Sequence, residues 1–158
     1  MNINNRILPI NEIAKEKDIN FIWARFFYVY GSGREKTTLI PYIINSIKNN
    51  KKPEIQNPFS KYDFVYSEDV ADALSMIIEK GNKSAIYNIG SGKSTNILDF
   101  VKIIYNELNI PYDLKFHKSN NQSFDNFWAD ISKIKKEIGW EPRISLEEGI
   151  KKTIESLK

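Results

Sequence analysis

Residues 21–30 form an apolar and aromatic run with a single charged residue, Arg25, and this run sets the strongest limit on the fold. The run reads FIWARFFYVY and is followed by Gly31-Ser32-Gly33. Apolar residues that are continuous rather than alternating are typical of a strand covered on both faces, as in a parallel sheet. The glycines after the run predict a turn where the backbone can approach a ligand closely. We therefore expect a buried parallel strand that ends at a permissive turn.

Helix-like and strand-like segments alternate along the rest of the chain. The predicted elements are a helix at 7–17, a strand at 21–30, a helix at 37–50, a strand at 63–66, a helix at 67–80, a strand at 85–90, a helix beginning near 95, and helices at 130–138 and 145–157. Ser67 or Asp69 is the predicted N-cap of the helix at 67–80, and Ser94 or Thr95 that of the next. The alternation predicts an α/β fold with parallel pairing.

Composition excludes several classes of protein. The 158 residues are 41% hydrophobic, which suits one compact domain or parts of two that pack together. No apolar run reaches the roughly 18–20 residues of a membrane helix, and the polar start predicts no secretion signal. The absence of Cys excludes disulfides and fits a reducing, cytoplasmic location. The single His117 cannot build a His-rich metal site or a Ser-His triad.

The charges predict a solvated surface rather than a nucleic-acid-binding patch. The net charge is +3, from 23 basic and 20 acidic residues, and the basic residues are dispersed along the chain. Single-strand binders combine stacking aromatic residues with a concentrated basic groove. Here the aromatic residues lie mainly within apolar runs, so core packing is the better interpretation.

Two local patterns suggest ion binding. Residues 90–95 read GSGKST, but a P-loop needs a glycine five positions before Gly92, where Tyr87 stands. Anion binding by free N–H groups of this loop is still physically possible. The acids Asp63, Glu68, Asp69 and Asp72 suggest a metal cluster, although capping and compensation of the helix dipole are the commoner uses of such residues.

Seven short motifs stand in the order found in one enzyme family. They are RFFYVYG at 25–31, LIP at 39–41, DFVYSEDVA at 63–71, YNIGSG at 87–92, ADISK at 129–133, GWEP at 139–142 and LEEGI at 146–150. In this respect the chain resembles the extended short-chain dehydrogenase/reductase family, the nucleotide-sugar epimerases and dehydratases. The resemblance covers the chain from about residue 7 to 153. It implies an α/β fold made of the last part of a Rossmann-like parallel sheet plus the small C-terminal substrate-binding α/β domain.

The resemblance also implies a division of the chain. Residues 1–35 would be the tail of the Rossmann-like domain, with a helix and the sixth strand. Residues 36–66 would belong to the substrate domain, and residues 67–92 would return to the Rossmann-like sheet with a helix and a strand. Residues 93–158 would form the C-terminal substrate-binding region. Ligands in such sheets lie beyond the carboxyl ends of the strands.

Site residues follow from the same resemblance. Phe27 matches the position whose backbone lies near the nicotinamide of NAD or NADP. Tyr28 and Phe127 match positions near the sugar nucleotide that are often Asn and Tyr in the family. Arg34, Lys61 and Lys118 are the candidate partners of the substrate diphosphate.

Other positions depart from the family pattern. Tyr62 stands where many members have an Arg that pairs with the diphosphate, and Asn120 stands near the place of a second such Arg. Ser32 replaces a common Pro. A diphosphate is best held by bidentate Arg or by clustered cations, so these changes weaken the usual clamp.

The catalytic apparatus of the family has no counterpart in these residues. No glycine-rich turn precedes the strand at 21–30, and the Tyr-x-x-x-Lys pair would fall at or before Ile3. We therefore expect no catalytic residue and no activity of this polypeptide alone. Its partner would be a nucleotide-diphosphate sugar, without nucleic acid or membrane. A missing N-terminal half or a second copy would cover the strand edge that the absent sheet leaves exposed.

Two alternatives remain open at the level of sequence. The chain is either a non-catalytic binding module that completes a separately encoded cofactor-binding half, or a non-functional truncated gene product. The identity of the sugar, the base and the cofactor lies outside what these residues determine.

Overall fold

The computed structural model describes residues 4–35, 37–115 and 126–157, with side chains from residue 9 onward. The helices are α1 (Asn4–Glu16), α2 (Leu39–Lys48), α3 (Ser67–Lys80), α4 (Ile97–Glu107), α5 (Ser132–Ile138) and α6 (Leu146–Ser156). The strands are β1 (Trp23–Phe26), β2 (Tyr28–Tyr30), β3 (Lys61–Tyr62), β4 (Phe64–Tyr66), β5 (Ile86–Ile89) and β6 (Thr95–Asn96). The alternation of strands and helices agrees with the predicted α/β fold.

The predicted strand at residues 21–30 is two strands that change partner at Phe27. β1 pairs in parallel with β5, and β2 pairs in parallel with β4. The Phe27 N–H donates to the carbonyl of Ile89, whereas the Tyr28 N–H donates to the carbonyl of Asp63. The predicted parallel pairing is therefore confirmed, but the prediction of one continuous strand is wrong.

The prediction that this strand is covered on both faces is also wrong. Phe26 is 49% exposed and Tyr28 is 47% exposed. The physical reason is that a strand face is covered only where other elements pack on it, and the described elements leave Phe26 and Tyr28 about half exposed. Separately, β1 and β2 each pair along one edge only within the described part of the chain.

Two hydrophobic clusters form the core. One lies between α2, α4 and α6 and contains Ile43, Ile44, Phe100 and Ile104, together with the rings of β2 and β4. The other lies between α3, α5 and β5 and includes Tyr87 and Ile134. The first cluster supports the segments that follow β1, which positions the site described below.

The N-terminal ends of α3 and α4 show that the caps predicted for these two helices are wrong. Neither Ser67 nor Asp69 caps α3, because Tyr66 is at its N-cap position and makes no side-chain capping bond. Likewise neither Ser94 nor Thr95 caps α4; Asn96 does so by accepting a hydrogen bond from Leu98 N (2.8 Å). The pairing of Thr95 with Tyr62 keeps the chain extended for one residue longer than the sequence pattern suggests.

The turn between α5 and α6 separates the two helices that the sequence predicts at 130–138 and 145–157. Gly139 ends α5 with φ of 79°, a left-handed conformation that favours glycine. Ser145 then caps α6 and accepts a hydrogen bond from Glu148 N. None of the helices in the described ranges is long and apolar enough to cross a membrane.

Candidate functional site

Aromatic side chains from three separate segments meet beyond the carboxyl end of β1. They are Phe27, Tyr28, Tyr62, Phe64 and Phe127, which we call the aromatic cluster. The ring centroids of Tyr28 and Tyr62 are 4.7 Å apart, and those of Tyr62 and Phe127 are 5.2 Å apart. Phe27 and Phe127 lie at 6.2 Å. These separations are the ordinary range for interacting aromatic pairs.

The aromatic cluster has a buried base and an exposed face. Phe64 is 5% exposed and belongs to the core, whereas Tyr28 and Phe127 are 47% and 41% exposed. Large aromatic rings grouped at a surface mark interaction sites more often than isolated exposed residues do. The cluster can therefore offer flat apolar rings to a ligand on one side while its other side is held by the core.

Backbone pairing brings the three segments together. The change of partner at Phe27 places Tyr28 opposite Phe64 in the register of β2 and β4. β3 pairs with β6, so that Tyr62 lies opposite Thr95. The chain that follows the undescribed residues returns beside β3, where the Phe127 N–H donates to the carbonyl of Lys61 (3.4 Å). The cluster is thus a product of tertiary pairing.

Asp63 lies between the two aromatic residues Tyr62 and Phe64 and is fully buried. Its Oδ1 accepts hydrogen bonds from the N–H (2.5 Å) and the hydroxyl (2.7 Å) of Ser91. Its Oδ2 accepts from Gly92 N and Ala129 N, both at 2.9 Å. A buried carboxylate is costly unless it is hydrogen-bonded, and here each oxygen has two donors.

The loop at residues 90–95 binds an internal anion. The N–H groups of Ser91 and Gly92, which could hold a phosphate if they were free, donate to the Asp63 carboxylate. The sequence-based possibility of phosphate binding by this loop is therefore wrong. The N–H groups of Ser91 and Gly92 are therefore not available to a cofactor pyrophosphate.

Two of the other three acids of the suspected metal cluster, Asp69 and Glu68, also have structural partners. Asp69 is 2% exposed and accepts hydrogen bonds from Arg143 N (2.9 Å) and Ile144 N (3.1 Å). Glu68 pairs with Lys152 at 2.7 Å. Within the described residues no group of three or more potential metal ligands is present. Capping and dipole compensation do not explain Asp63 or Asp69, since both carboxylates bind backbone N–H groups elsewhere in the fold.

A cavity of about 870 Å³ lies beside the aromatic cluster. Its lining combines Tyr30 and Phe64 with exposed polar and aromatic side chains, among them Lys93, Trp128 and Arg143. Burial, and to a lesser extent the nearby Tyr66 and Asp69, raises the pKa of Tyr30 far above its ordinary value. The Tyr30 phenol therefore stays protonated near neutral pH and is unsuited to act there as a general base.

The structure brings together three of the predicted site residues and places two others separately. Phe27, Tyr28 and Phe127 come together in the aromatic cluster. Lys61 lies next to it in β3 and is exposed, while its carbonyl receives the Phe127 N–H. Arg34 is exposed and its guanidinium donates to the carbonyl of Val29 (3.0 Å).

Two further predictions lie outside the described residues. These are the diphosphate contact proposed for Lys118 and the substitution noted at Asn120.

Sequence reasoning missed the role of Asp63 and the meeting of Tyr62 with Tyr28. The order Tyr62-Asp63-Phe64 contains a signal that could have revealed both. In an extended segment successive side chains point to opposite faces, so the two rings share one face and the carboxylate lies on the other. The 6.4 Å separation of the Tyr62 and Phe64 rings agrees with this arrangement.

Comparison with known proteins identifies the family. A family model described as GDP-mannose 4,6 dehydratase matches residues 9–153. The chain belongs to this family. Its expected place among the nucleotide-sugar epimerases, dehydratases and reductases of the extended short-chain dehydrogenase/reductase group is thereby confirmed.

Curated relatives agree with this membership. The chain is 31% identical over 150 residues to dTDP-4-dehydro-6-deoxyglucose reductase of Escherichia coli, covering 92% of this chain and 48% of the relative. It is 27% identical over 146 residues to CDP-abequose synthase of Salmonella muenchen, covering 90% of this chain and 50% of the relative. The chain thus spans about half the length of the curated relatives it matches.

Solved structures confirm the Rossmann-like α/β fold. UDP-glucose 4-epimerase of Thermotoga maritima, solved with UDP-glucose, superposes with a TM-score of 0.85 at 23% identity, over 97% of this chain and 50% of that one. The enzyme WbmF of Bordetella bronchiseptica, solved with NADH, gives a TM-score of 0.80 at 26% identity, over 95% of this chain and 49% of that one.

Proposed function

We propose that this chain is the substrate-binding C-terminal part of an NAD(P)-dependent nucleotide-sugar epimerase, dehydratase or reductase. The observation that carries the proposal is the aromatic cluster, which lies beyond the carboxyl end of β1 with Tyr28 and Phe127 about half exposed. Ligands of open α/β sheets bind at the carboxyl ends of the strands. The ligand class is a nucleotide-diphosphate sugar, which presents both a base and a sugar ring for stacking.

Roles of single residues follow from this proposal. Tyr28 and Phe127 contact the sugar nucleotide through their rings, and the backbone at Phe27 lies near the nicotinamide in the complete enzyme. Lys61, Arg34 and Lys118 supply positive charge to the diphosphate in place of the missing arginines. Cations of this kind attract a diphosphate as point charges, and Arg adds bidentate geometry.

The proposed division of the chain follows the same boundaries as the sequence prediction. Residues 1–35 and 67–92 contribute to the Rossmann-like part, and residues 36–66 and 93–158 contribute to the substrate-binding part. Both β1 and β5, which pair with each other, fall in the Rossmann-like part of this division.

Calorimetric titration tests the binding role. UDP-glucose, dTDP-glucose, CDP-glucose and GDP-mannose are titrated separately into the chain, with the free nucleotides for comparison. We expect at least one sugar nucleotide to bind. Phe127→Leu should lower the affinity for that sugar nucleotide about tenfold, because aromatic stacking contributes about 1–3 kcal/mol. Phe26→Leu is the matched control, since Phe26 is also half exposed but lies outside the aromatic cluster. Equal losses in both variants would contradict the proposed site.

We further infer that the polypeptide alone carries out no hydride transfer. None of its segments matches the glycine-rich turn that holds a dinucleotide or the Tyr-x-x-x-Lys pair that moves the proton. Steady-state assays with NADH or NADPH and a nucleotide 4-keto sugar should show no turnover above background. Stoichiometric NAD uptake or clear turnover by the isolated chain would refute this inference.

A second candidate is a binding module that completes a separately encoded cofactor-binding half. The observation that favours it is the single pairing partner of β1 within the described residues, with Phe26 half exposed. Co-purification with such a half and recovery of activity on mixing are the expected results. A chain that binds neither a sugar nucleotide nor a cofactor-binding half would instead be a non-functional product.

A further inference from the structure

The Asp63 carboxylate joins three parts of the fold that are far apart in sequence. It lies between β3 and β4, and its donors come from the loop after β5 and from Ala129, before α5. These donors are 28 to 66 positions away along the chain. We propose that Asp63 is a positioning residue for the aromatic cluster, which holds Phe127 against Tyr28 and Tyr62. This inference depends on the proposed function only for the claim that the aromatic cluster binds a ligand.

The first step of the argument concerns the segment that carries Phe127. Its own backbone bond to Lys61 is long, at 3.4 Å, and therefore restrains the segment weakly. The bond from Ala129 N to Asp63 is 2.9 Å, which is the most common length for an N–H···O bond, so it is the stronger of the two. Asn126 gives a third connection, because it accepts a hydrogen bond from the Ser94 hydroxyl. The bond from Ala129 N to Asp63 is thus the main restraint on this segment, and it acts two residues after Phe127.

The second step concerns the strand side of the cluster. Asp63 is flanked by Tyr62 and Phe64, whose rings are both within the cluster. Any shift of the Asp63 backbone therefore moves two of the rings directly. The Asp63 carbonyl also accepts the N–H of Tyr28 (3.0 Å), so a third ring depends on the same residue.

The third step is that the junction has no space to adjust. A Cβ added at Gly90 would lie 2.7 Å from Oδ2 of Asp63 and 2.6 Å from the Cβ of Ala129. The native carboxylate therefore fills its position closely, and a longer side chain there would collide with Gly90 and Ala129. If the carboxylate is removed, three backbone N–H groups and one hydroxyl lose their acceptor, and the connecting segments must move to find water.

The experiment compares Asp63→Ala with Asp69→Ala in the chain as it exists. Asp69 is the matched control, because it is also buried and also accepts backbone N–H groups, but at the connection before α6. Both variants should lower the melting temperature, by about 10 °C. NMR cross-peaks between the rings of Phe127 and Tyr62 should disappear only in Asp63→Ala. Retention of these cross-peaks in Asp63→Ala, or their loss in both variants, would overturn the proposal.

Two further measurements separate positioning from general destabilisation. Asp63→Asn keeps an acceptor for Gly92 and Ala129 if its amide oxygen takes the place of Oδ2, but its NH2 group then faces the Ser91 N–H, so only part of the ring cross-peak intensity should return. Sodium formate supplies a carboxylate of the right size and should restore cross-peaks to Asp63→Ala, whereas sodium chloride should not. If Asp63→Ala is unfolded, the fraction that refolds is measured in sodium formate and in sodium chloride instead. Equal refolding in the two salts would count against the role of the carboxylate.

The ring cross-peaks are recorded without ligand, which separates this inference from the proposed function. If UDP-glucose binds the unaltered chain, Asp63→Ala should lower the affinity for UDP-glucose at least tenfold, and Asp69→Ala should lower it less than twofold. Unchanged affinity in Asp63→Ala despite lost cross-peaks would overturn the link to ligand binding. If no sugar nucleotide binds the unaltered chain, the proposed function fails while the positioning of the rings is still decided by NMR.

Discussion

Asp63 and Asp69 lie six positions apart, and both direct their oxygens at backbone N–H groups rather than at cations. Asp63 connects the aromatic cluster to the loop after β5, and Asp69 connects the start of α3 to the chain before α6. At the residue scale this separates two functions of similar side chains. The first carboxylate shapes the proposed ligand surface, and the second closes the core behind it.

Glu137 illustrates how one exposed carboxylate affects the dependence of stability on pH. The Tyr87 hydroxyl (2.8 Å) and the Asn82 amide (3.0 Å) both donate to it, and these bonds hold its pKa below the ordinary value of 4.5. Because the folded-state pKa is the lower one, the stability from this residue is present above about pH 4.5 and is lost as the pH falls through the folded-state pKa.

We therefore predict that Glu137→Gln flattens the acid limb of the stability curve. The melting temperature of the unaltered chain should fall more steeply than that of the variant between about pH 5 and about pH 3. Thermal unfolding followed by circular dichroism across this range measures the difference. Parallel curves for the two proteins would show that the Tyr87 bond does not favour the ionised form.

At the scale of elements, α6 packs closely on β2 and β4 through Gly149. A Cβ added at Gly149 would lie 2.9 Å from both Cζ of Tyr30 and Cδ2 of Tyr66, and closer still to the Tyr30 hydroxyl. The Tyr30 hydroxyl also donates to the carbonyl of Leu146 (3.3 Å). This approach sets the distance between the C-terminal helix and the strands that carry the site.

Gly149→Ala should therefore destabilise the fold, although the same change in an exposed helix stabilises by about 1 kcal/mol. We expect a loss of about 1–3 kcal/mol in the free energy of unfolding, because the methyl group overpacks a full interface. Urea denaturation measures it. Tyr30→Phe combined with Gly149→Ala should recover part of the loss, since the nearest atom is gone; a stabilising single variant would contradict the packing described.

At the scale of the whole molecule, the described strands form three pairs rather than one closed sheet. β1 has β5 on one side and no other strand on the opposite edge within the described ranges. Unpaired edges with exposed apolar residues favour pairing with another chain. The unpaired edge of β1, with Phe26 half exposed beside it, is therefore available for association with another chain.

We predict that the chain self-associates through β1 as its concentration rises. Phe26→Lys should shift the molecule toward the monomer, because a charged residue at an edge opposes strand pairing. Size-exclusion chromatography with light scattering measures the mass at several concentrations. Ile78→Lys is the matched control, since Ile78 is 84% exposed on α3, away from this edge. An unaltered chain that stays monomeric at high concentration would contradict the prediction.

The class of fold and the approximate positions of the helices follow from local patterns in the amino-acid sequence. Helical spacing depends on residues three and four positions apart, which is a local property of the sequence, whereas the predicted caps of α3 and α4 were wrong. The motifs in family order were sufficient to identify the family, because they report several elements at once. Phe27, Tyr28 and Phe127 were named from that resemblance, and the fold brings them together.

The construction of the site depends instead on contacts between segments that are distant in the sequence. The break at Phe27 depends on which strand lies beside each half of the run, and the cap at Asn96 depends on the pairing of β3 with β6. The donors to Asp63 come from 28 to 66 residues away, so no local pattern specifies them. Contacts between distant segments form only when the whole chain has packed, which is why the aromatic cluster and its buried carboxylate are properties of the fold.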